Sequence, residues 1–253
     1  MKQINYIVFI VSVMFLISCE YDNYDGPSVK FTGSLITASG DPFFYDGNPG
    51  RGLIKVIQKG FGKTDGGTNV RVDERGNYAQ LLFPGEYWLT LENNPYPFEV
   101  ENINSLGAGL GYDSIKIDLK SDLKMDFKVT PYYLLTDFTA KVENNNIVLN
   151  CNVTKNPDAP ATAPKVTFGR GYVSTTSIVN GGTLLTRTKR AVITDSGSFE
   201  VVIPIFGVNS FREIYTNNFK ESAYCRVSVE LEGIPSYYLF SNITKIENVP
   251  LTP

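Results

Sequence analysis

The residues that could carry catalysis are few. The 253-residue chain contains no His, so it cannot by itself form a Ser-His-Asp triad, a Cys-His dyad or a His-ligated metal site. Two carboxylate pairs, Glu99 with Glu101 and Glu230 with Glu232, each share a strand face. Glycoside hydrolysis needs two carboxylates that flank a sugar cleft, whereas alternation toward solvent explains both pairs. The sequence therefore favours a protein that is not an enzyme, and it indicates no cofactor and no metal.

An outward-facing aromatic side chain is a better lead. If Tyr87 and Leu89 point into a core, Trp88 points outward, and its flat apolar face could stack on a pyranose ring. The residues predicted to complete this glycan platform follow closely in the chain and are Asn93, Asn94, Tyr96 and Phe98. The alternative is that Trp88 covers a loop or a domain junction.

The composition favours strands and excludes one class of partner. Gly (22), Tyr (15) and Phe (16) are plentiful, which is typical of strands joined by turns. With 23 basic and 26 acidic side chains, the net charge is −3. This balance argues against nucleic acid as the main partner, because phosphate contacts require clustered Lys and Arg.

The first residues predict export and a lipid anchor. A basic start at Lys2 precedes an apolar run that is too short for the ~20 residues of a membrane-spanning helix. The sequence Leu16-Ile17-Ser18-Cys19 resembles the lipobox of bacterial lipoproteins, which implies that Cys19 is acylated and becomes the mature N-terminus. An ordinary secretory signal with an incidental Cys is the alternative. The acidic residues 20–27 resemble the tether of Bacteroidetes lipoproteins displayed on the outer face of the outer membrane, and a solvated linker would look similar.

From residue 28 onward the pattern predicts an all-β chain. Sustained helical periodicity is missing, and short alternating runs recur between Gly, Asn, Asp and Pro residues. Spacing of this kind predicts two consecutive β-sandwiches with a boundary near Pro131. The clearest predicted strands are Leu53–Gln58, Tyr78–Leu82, Tyr87–Leu91, Ile115–Leu119, Asp126–Val129, Ile147–Val153, Ala191–Thr194, Ser198–Ile203 and Tyr224–Leu231. The predicted segments are a signal peptide (1–18), a tether (19–27) and two domains (28–131 and 132–253).

The first predicted domain has a recognisable pair of turns. Asp73-Glu74-Arg75-Gly76 precedes the strand that begins near Tyr78, and Pro84-Gly85 makes the next turn, since Pro fixes φ and Gly permits a positive φ. This arrangement resembles the carboxypeptidase-regulatory-like, or transthyretin-like, sandwich. The resemblance implies a module that is not catalytic.

The second predicted domain resembles an immunoglobulin or fibronectin type III sandwich. Cys151 lies on the core face of an early strand, and Cys225, Val227 and Val229 alternate on a late one. This parity leaves Arg226, Ser228, Glu230 and Glu232 outside. Within the resemblance, an inter-sheet disulfide between Cys151 and Cys225 suits an oxidising compartment. Two buried free thiols are an equal alternative.

The order of these segments resembles a family of two-domain Bacteroidetes lipoproteins that are associated with Sus-like glycan-uptake loci. The resemblance implies an outer-membrane surface protein that binds polysaccharide or braces SusC- and SusD-like partners. A structural spacer without saccharide affinity is the alternative, and a hydrolase is disfavoured. Asp113-Ser114-Ile115 resembles an O-glycosylation sequon of exported Bacteroidetes proteins, although so short a motif also occurs by chance.

Overall fold

The computed structural model of the chain describes residues 25–48, 52–58, 67–92, 94–101, 103, 114–183, 186–214 and 220–253. Regular structure in these ranges is β-strand apart from a short 3-10 helix at Arg212–Ile214. The all-β class is therefore confirmed. The strands are β1 (Val29–Thr37), β2 (Ile54–Gln58), β3 (Gly67–Val70), β4 (Asn77–Leu82), β5 (Gly85–Leu91), β6 (Phe98–Val100), β7 (Ile115–Leu119), β8 (Leu123–Lys124), β9 (Phe127–Pro131), β10 (Tyr133–Glu143), β11 (Asn146–Lys155), β12 (Val166–Ser174), β13 (Thr186–Asp195), β14 (Gly197–Pro204), β15 (Ser222–Leu231), β16 (Leu239–Phe240) and β17 (Thr244–Glu247).

The strands up to Pro131 form two sheets. One sheet has the order β4-β1-β9-β6, and the other has the order β3-β2-β5-β7. The long strand β1 pairs antiparallel with β4 and parallel with β8 and β9. Phe31, Leu35, Leu89 and Leu119 are fully buried and belong to one apolar cluster, because alternate residues of each strand point to the same face.

The strands from Tyr133 onward form two further sheets. One has the order β10-β11-β14, and the other has the order β13-β12-β15-β16, with β17 also beside β15. We call the second of these the β15 sheet. Its strand β12 carries Gly169 and Gly171 on the face that packs against the other sheet. A Cβ atom at Gly169 would meet the ring of Phe199, and one at Gly171 would meet Leu149 and Val201. These glycines therefore allow the two sheets to approach each other.

The two cysteines of this region are free thiols. Cys151 lies on β11 and Cys225 lies on β15, so they occupy different sheets, and both are buried. Of the two alternatives that the sequence leaves open, the structure has the pair of buried thiols. Burial raises the pKa of the Cys151 thiol to about 12 and also raises that of Cys225. Both sulfurs therefore remain protonated at neutral pH, and neither is a reactive thiolate.

Two predicted functional residues, Cys19 and Asn93, lie outside the described residues, as does the tether up to residue 24. Within the described ranges, no helix is long and apolar enough to cross a membrane.

Candidate functional site

The outer face of the β15 sheet is where the two halves of the chain meet. Arg226 and Ser228 are fully buried on this face, and Glu230 is 8% exposed. The prediction that these three residues point to solvent is wrong. The strand alternates as predicted, but around Arg226 its polar face is covered by the first half of the chain and by the segment around Phe240. Glu230 is instead covered by Arg170 and Arg190 of the second half.

Arg226 joins the halves through backbone carbonyl groups. Its Nη1 donates to the carbonyl oxygen of Tyr45 at 2.7 Å, and its Nη2 donates to that of Asp46 at 2.8 Å. The Asp46 carboxylate lies 3.9 Å from Nη2. The guanidinium carbon also lies 4.0 Å from the centre of the Phe240 ring and 5.9 Å from that of Tyr172. These contacts compensate a buried cation. Even so, desolvation lowers the pKa of Arg226 to about 10, although Asp46 acts in the opposite direction.

Further contacts fix the same junction on both sides of Arg226. The Asn180 side-chain amide donates to the Glu74 carboxylate at 3.0 Å. The rings of Tyr96 and Tyr237 pack edge to face, with their centres 4.8 Å apart. The polar contact holds the turn that contains Glu74, and the aromatic contact holds the segment that contains Tyr96, against the second half of the chain.

Tyr96 and Phe98 do not form an exposed platform. They are 5% and 4% exposed, and their rings stack on each other with centres 5.3 Å apart. Their assignment as glycan-binding residues is therefore wrong. The two prolines beside Tyr96 suggest a stiff surface loop, but the aromatic residues of that loop complete the core and the junction instead.

Trp88 lies on the outer face of β5, as predicted, and is partly buried. The Lys116 ammonium group lies 5.8 Å from the centre of its ring. This cation comes from the neighbouring strand β7, where Lys116 is the direct partner of Trp88. Asn94, which follows β5 in the chain, is partly buried. Ser114, the predicted glycosylation residue, lies just before β7 and is also partly buried.

A groove opens on the outer face of the β15 sheet at Tyr224, two residues before Arg226. It has a volume of about 520 Å³, which lies within the range of small-molecule sites. We call it the junction groove. Its lining residues come from both halves of the chain and are Ser34, Ile36, Pro42, Phe44, Arg75, Asn77, Ser177, Tyr224, Asn242, Ile243 and Lys245.

The junction groove combines an apolar aromatic floor with a polar rim. Phe44, Tyr224 and Ile243 are partly buried and pack against the cluster of Tyr172, Val179 and Phe240. Exposed hydrogen-bonding groups surround this floor, and among them are Asn77, Ser177 and Asn242. An aromatic surface bordered by amides and hydroxyls is the arrangement that binds a sugar ring, because one face of the ring is apolar and its edge is polar.

A tight turn places Arg75 at the rim. The Asp73 carboxylate accepts the backbone N–H of Arg75 at 2.9 Å and that of Asn77 at 2.8 Å. Gly76 closes the turn with φ +81°, a conformation that favours glycine. The sequence predicted this turn, but it did not show that the turn faces the second half of the chain.

Two other clefts differ from the junction groove in the charge of their lining residues, because both contain carboxylates. One is about 800 Å³ in volume, lies on the other side of the same turn, and has Arg71, Asp73 and Glu74 in its lining. The other is about 770 Å³ and contains Glu230. The Glu230 carboxylate accepts hydrogen bonds from both Arg170, at 2.6 Å from Nη2, and Arg190. Glu230 is therefore part of an ion-pair cluster.

Comparisons with known proteins find a family model that matches the first half of the chain and solved structures with the same fold. Residues 29–130 match the model of a family described as protein of unknown function (DUF3823), N-terminal domain. Several solved structures resemble this chain over nearly its whole length. A DUF3823 family protein from Parabacteroides merdae is 22% identical, with a TM-score of 0.66, and the match covers 88% of this chain and 100% of that one.

A DUF3823 family protein from Bacteroides ovatus is 18% identical, with a TM-score of 0.61, over 87% of this chain and 99% of that one. A protein from Bacteroides uniformis, described as a candidate carbohydrate binding protein, is 15% identical, with a TM-score of 0.60, over 88% of this chain and 100% of that one. The comparison with curated proteins finds no match. These likenesses establish that both halves of the chain share the fold of the three structures.

Sequence reasoning missed the junction groove because the groove depends on contacts between the halves. Phe44, Tyr224 and Arg75 are far apart in the chain, and each one alone has an ordinary explanation. One signal was present: β15 carries Arg226 in a strand whose other face is wholly apolar. Arg226 lies at the centre of this strand, opposite Tyr172 on β12. A large cation in that position indicates that the polar face of the strand is covered.

Proposed function

We propose that this protein is a non-catalytic carbohydrate-binding protein of the outer-membrane surface and that it binds glycans in the junction groove. The observation that carries the proposal is the partly buried aromatic floor of Phe44 and Tyr224, bordered by amide and hydroxyl groups. The description of the Bacteroides uniformis structure as a candidate carbohydrate binding protein supports it.

In this proposal, the lipid on Cys19 anchors the chain to the outer membrane, where it serves a Sus-like uptake system. The junction groove would retain a polysaccharide near its importer. Several acyl chains would make the attachment stable, since a single chain gives only reversible binding.

A glycan-array screen of the chain from residue 20 onward tests the proposal, because this chain contains every described residue. Plant, host and microbial polysaccharides are compared for the unaltered chain and for Tyr224→Ala. We expect Tyr224→Ala to weaken binding by about tenfold or more, as truncation of a central aromatic contact costs about 1.4 kcal/mol or more.

Two further variants locate the site. Tyr238→Ala removes another partly buried tyrosine that does not line the junction groove, so its affinity should equal that of the unaltered chain. Trp88→Ala tests the platform predicted from the sequence. Loss of binding in Trp88→Ala alone, or an array without any bound glycan, would contradict the assignment to the junction groove.

A spacer or bracing role is the second candidate function. The fully buried Arg226, with its two carbonyl partners from the first half, favours it, because such a junction suits a protein that holds other components at a fixed distance. A bracing protein would bind no array glycan and would co-purify with other envelope proteins from native outer membranes.

A further inference from the structure

The charged residues in the lining of the junction groove are of one sign. Its lining includes Arg75 and Lys245 and no Asp or Glu among the described residues. The cleft on the other side of the same turn has two carboxylates, Asp73 and Glu74, and one cation, Arg71. Since the whole chain carries a net charge of −3, a groove with only cations departs from the general composition of the surface.

Arg75 is the cation that is available to a ligand. Its side chain is exposed, and no hydrogen bond or ion pair to it occurs within the described ranges. The nearby Asp73 carboxylate is engaged with the backbone N–H groups of Arg75 and Asn77. Lys245 differs, because its ammonium group lies 2.5 Å from the Glu247 carboxylate.

The backbone that carries Arg75 is fixed, although its side chain is free. The Asp73 cap and the positive φ of Gly76 define the turn, and the neighbouring Glu74 accepts a hydrogen bond from Asn180 of the second half. A guanidinium group on a fixed turn can form two parallel hydrogen bonds to a carboxylate or sulfate. Such a bond is stronger than a neutral one, and it selects ligands by charge.

We propose that the junction groove selects acidic saccharides, in which a uronate carboxylate or a sulfate ester pairs with Arg75 while the sugar ring rests on Phe44 and Tyr224. This inference rests on the proposed function, since it names the class of sugar that the same groove binds. The neutral amides of Asn77 and Asn242 at the rim would serve the hydroxyl groups of the sugar. The sugar ring makes the apolar contact with the aromatic floor, and the acidic group determines which saccharides bind.

Matched pairs of oligosaccharides test the inference by calorimetry on the chain from residue 20 onward. The carboxylate arm compares oligogalacturonate with the same oligomer after full methyl esterification, which removes its charge. The sulfate arm compares sulfated galactan oligosaccharides with their desulfated forms. We expect the acidic member of at least one pair to bind at least tenfold more tightly, with an affinity that falls as salt rises.

Two arginine variants separate local pairing from general charge. Arg75→Gln should remove the preference for the acidic member and leave the affinity for the neutral member unchanged. Arg71→Gln removes the same charge on the other side of the turn, in the cleft that contains Asp73 and Glu74, and should change neither affinity. An equal loss of acid preference in both variants would overturn the role of Arg75.

The results also separate this inference from the proposed function. If both members of every pair bind equally and Tyr224→Ala weakens both, the groove binds sugars and the acid selectivity is wrong. If neither pair nor any array glycan binds in a way that depends on Tyr224, the inference and the proposed function both fail.

Discussion

Among single residues, the buried cation Arg226 is the one on which the stability of the fold depends most clearly. Arg226 is fully buried, and its hydrogen bonds are to the carbonyl oxygens of Tyr45 and Asp46. A buried guanidinium costs much solvation energy. The faces of Phe240 and Tyr172 compensate part of this cost from within the second half. The two carbonyl groups come from the first half, so they compensate it only while the two halves of the chain stay together.

Replacing Arg226 should therefore weaken the whole fold. For Arg226→Met we expect the free energy of unfolding to fall by about 3 kcal/mol or more, because two carbonyl groups and Asp46 lose their partner. Urea denaturation measures this loss. The control is Arg71→Met, since Arg71 is exposed and its removal should cost less than about 0.5 kcal/mol. A similar small cost for both variants would mean that Arg226 contributes nothing to the junction.

At the scale of strands, alternation predicted much of the fold. Ile115–Leu119 was predicted to the residue, and Tyr224–Leu231 lies within β15. Strand β12 was missed because Gly169 and Gly171 occupy inward-facing positions, so its apolar signal is weak although the packing is close. The same strand carries its large side chains, such as Tyr172, on the face that the first half covers.

The functional candidates were harder to predict than the strands. Alternation correctly placed Trp88 on an outer face, and it correctly placed Cys225 in the core. It could not show whether an outer face meets solvent or another domain. Alternation therefore predicts Arg226 at the surface, and the two prolines beside Tyr96 predict a surface loop, although both residues are buried at the junction.

The turn at Gly76 allows a comparison between two glycines. Gly76 and Gly40 both have positive φ, at +81° and +89°. A Cβ at Gly76 would fall on the carbonyl oxygen of Phe43, whereas a Cβ at Gly40 would meet nothing within 4 Å. Gly40→Ala should cost about 1 kcal/mol from backbone conformation alone.

We expect Gly76→Ala to cost at least about twice as much as Gly40→Ala, because a backbone carbonyl cannot move aside as a flexible side chain can. Thermal or urea unfolding of the two variants gives the difference directly. Gly76→Ala should also weaken glycan binding at the junction groove, since the turn carries Arg75. Equal costs for the two variants would show that the contact with Phe43 relaxes freely.

At the scale of the whole molecule, the halves share one continuous apolar cluster. Val29 and Leu89 of the first half belong to the same buried cluster as Cys151 and Val229 of the second. Contacts such as that between Tyr96 and Tyr237 extend this packing across the junction. We infer that the described residues behave as one packed unit, so the groove at the junction has a fixed shape. A preformed groove binds its ligand without first having to order its walls.

This shared core predicts a loss of stability at alkaline pH. Burial raises the pKa of Tyr78, Tyr96 and Tyr172 above the ordinary value of 10.0. Above about pH 10 the unfolded chain releases these phenolic protons while the folded chain retains them, so the unfolded state is favoured. The stability that the three phenols provide is present below pH 10 and is lost as the pH rises. Arg226 acts in the opposite direction, because its pKa is lowered to about 10. The buried thiols of Cys151 and Cys225, whose pKa values are also raised, add to the alkaline loss.

The expected result is a free energy of unfolding that declines between about pH 10 and pH 12 by as much as about 1.4 kcal/mol per pH unit for each phenol. Urea titrations at several pH values measure it, and tyrosinate absorbance should appear together with unfolding. Tyr96→Phe removes one of the three phenols and should make the decline shallower by about that amount. An unchanged slope in Tyr96→Phe, or ionisation of the buried tyrosines in the folded chain, would mean that the packing at the junction admits water. The groove built on that packing would then lack a fixed shape.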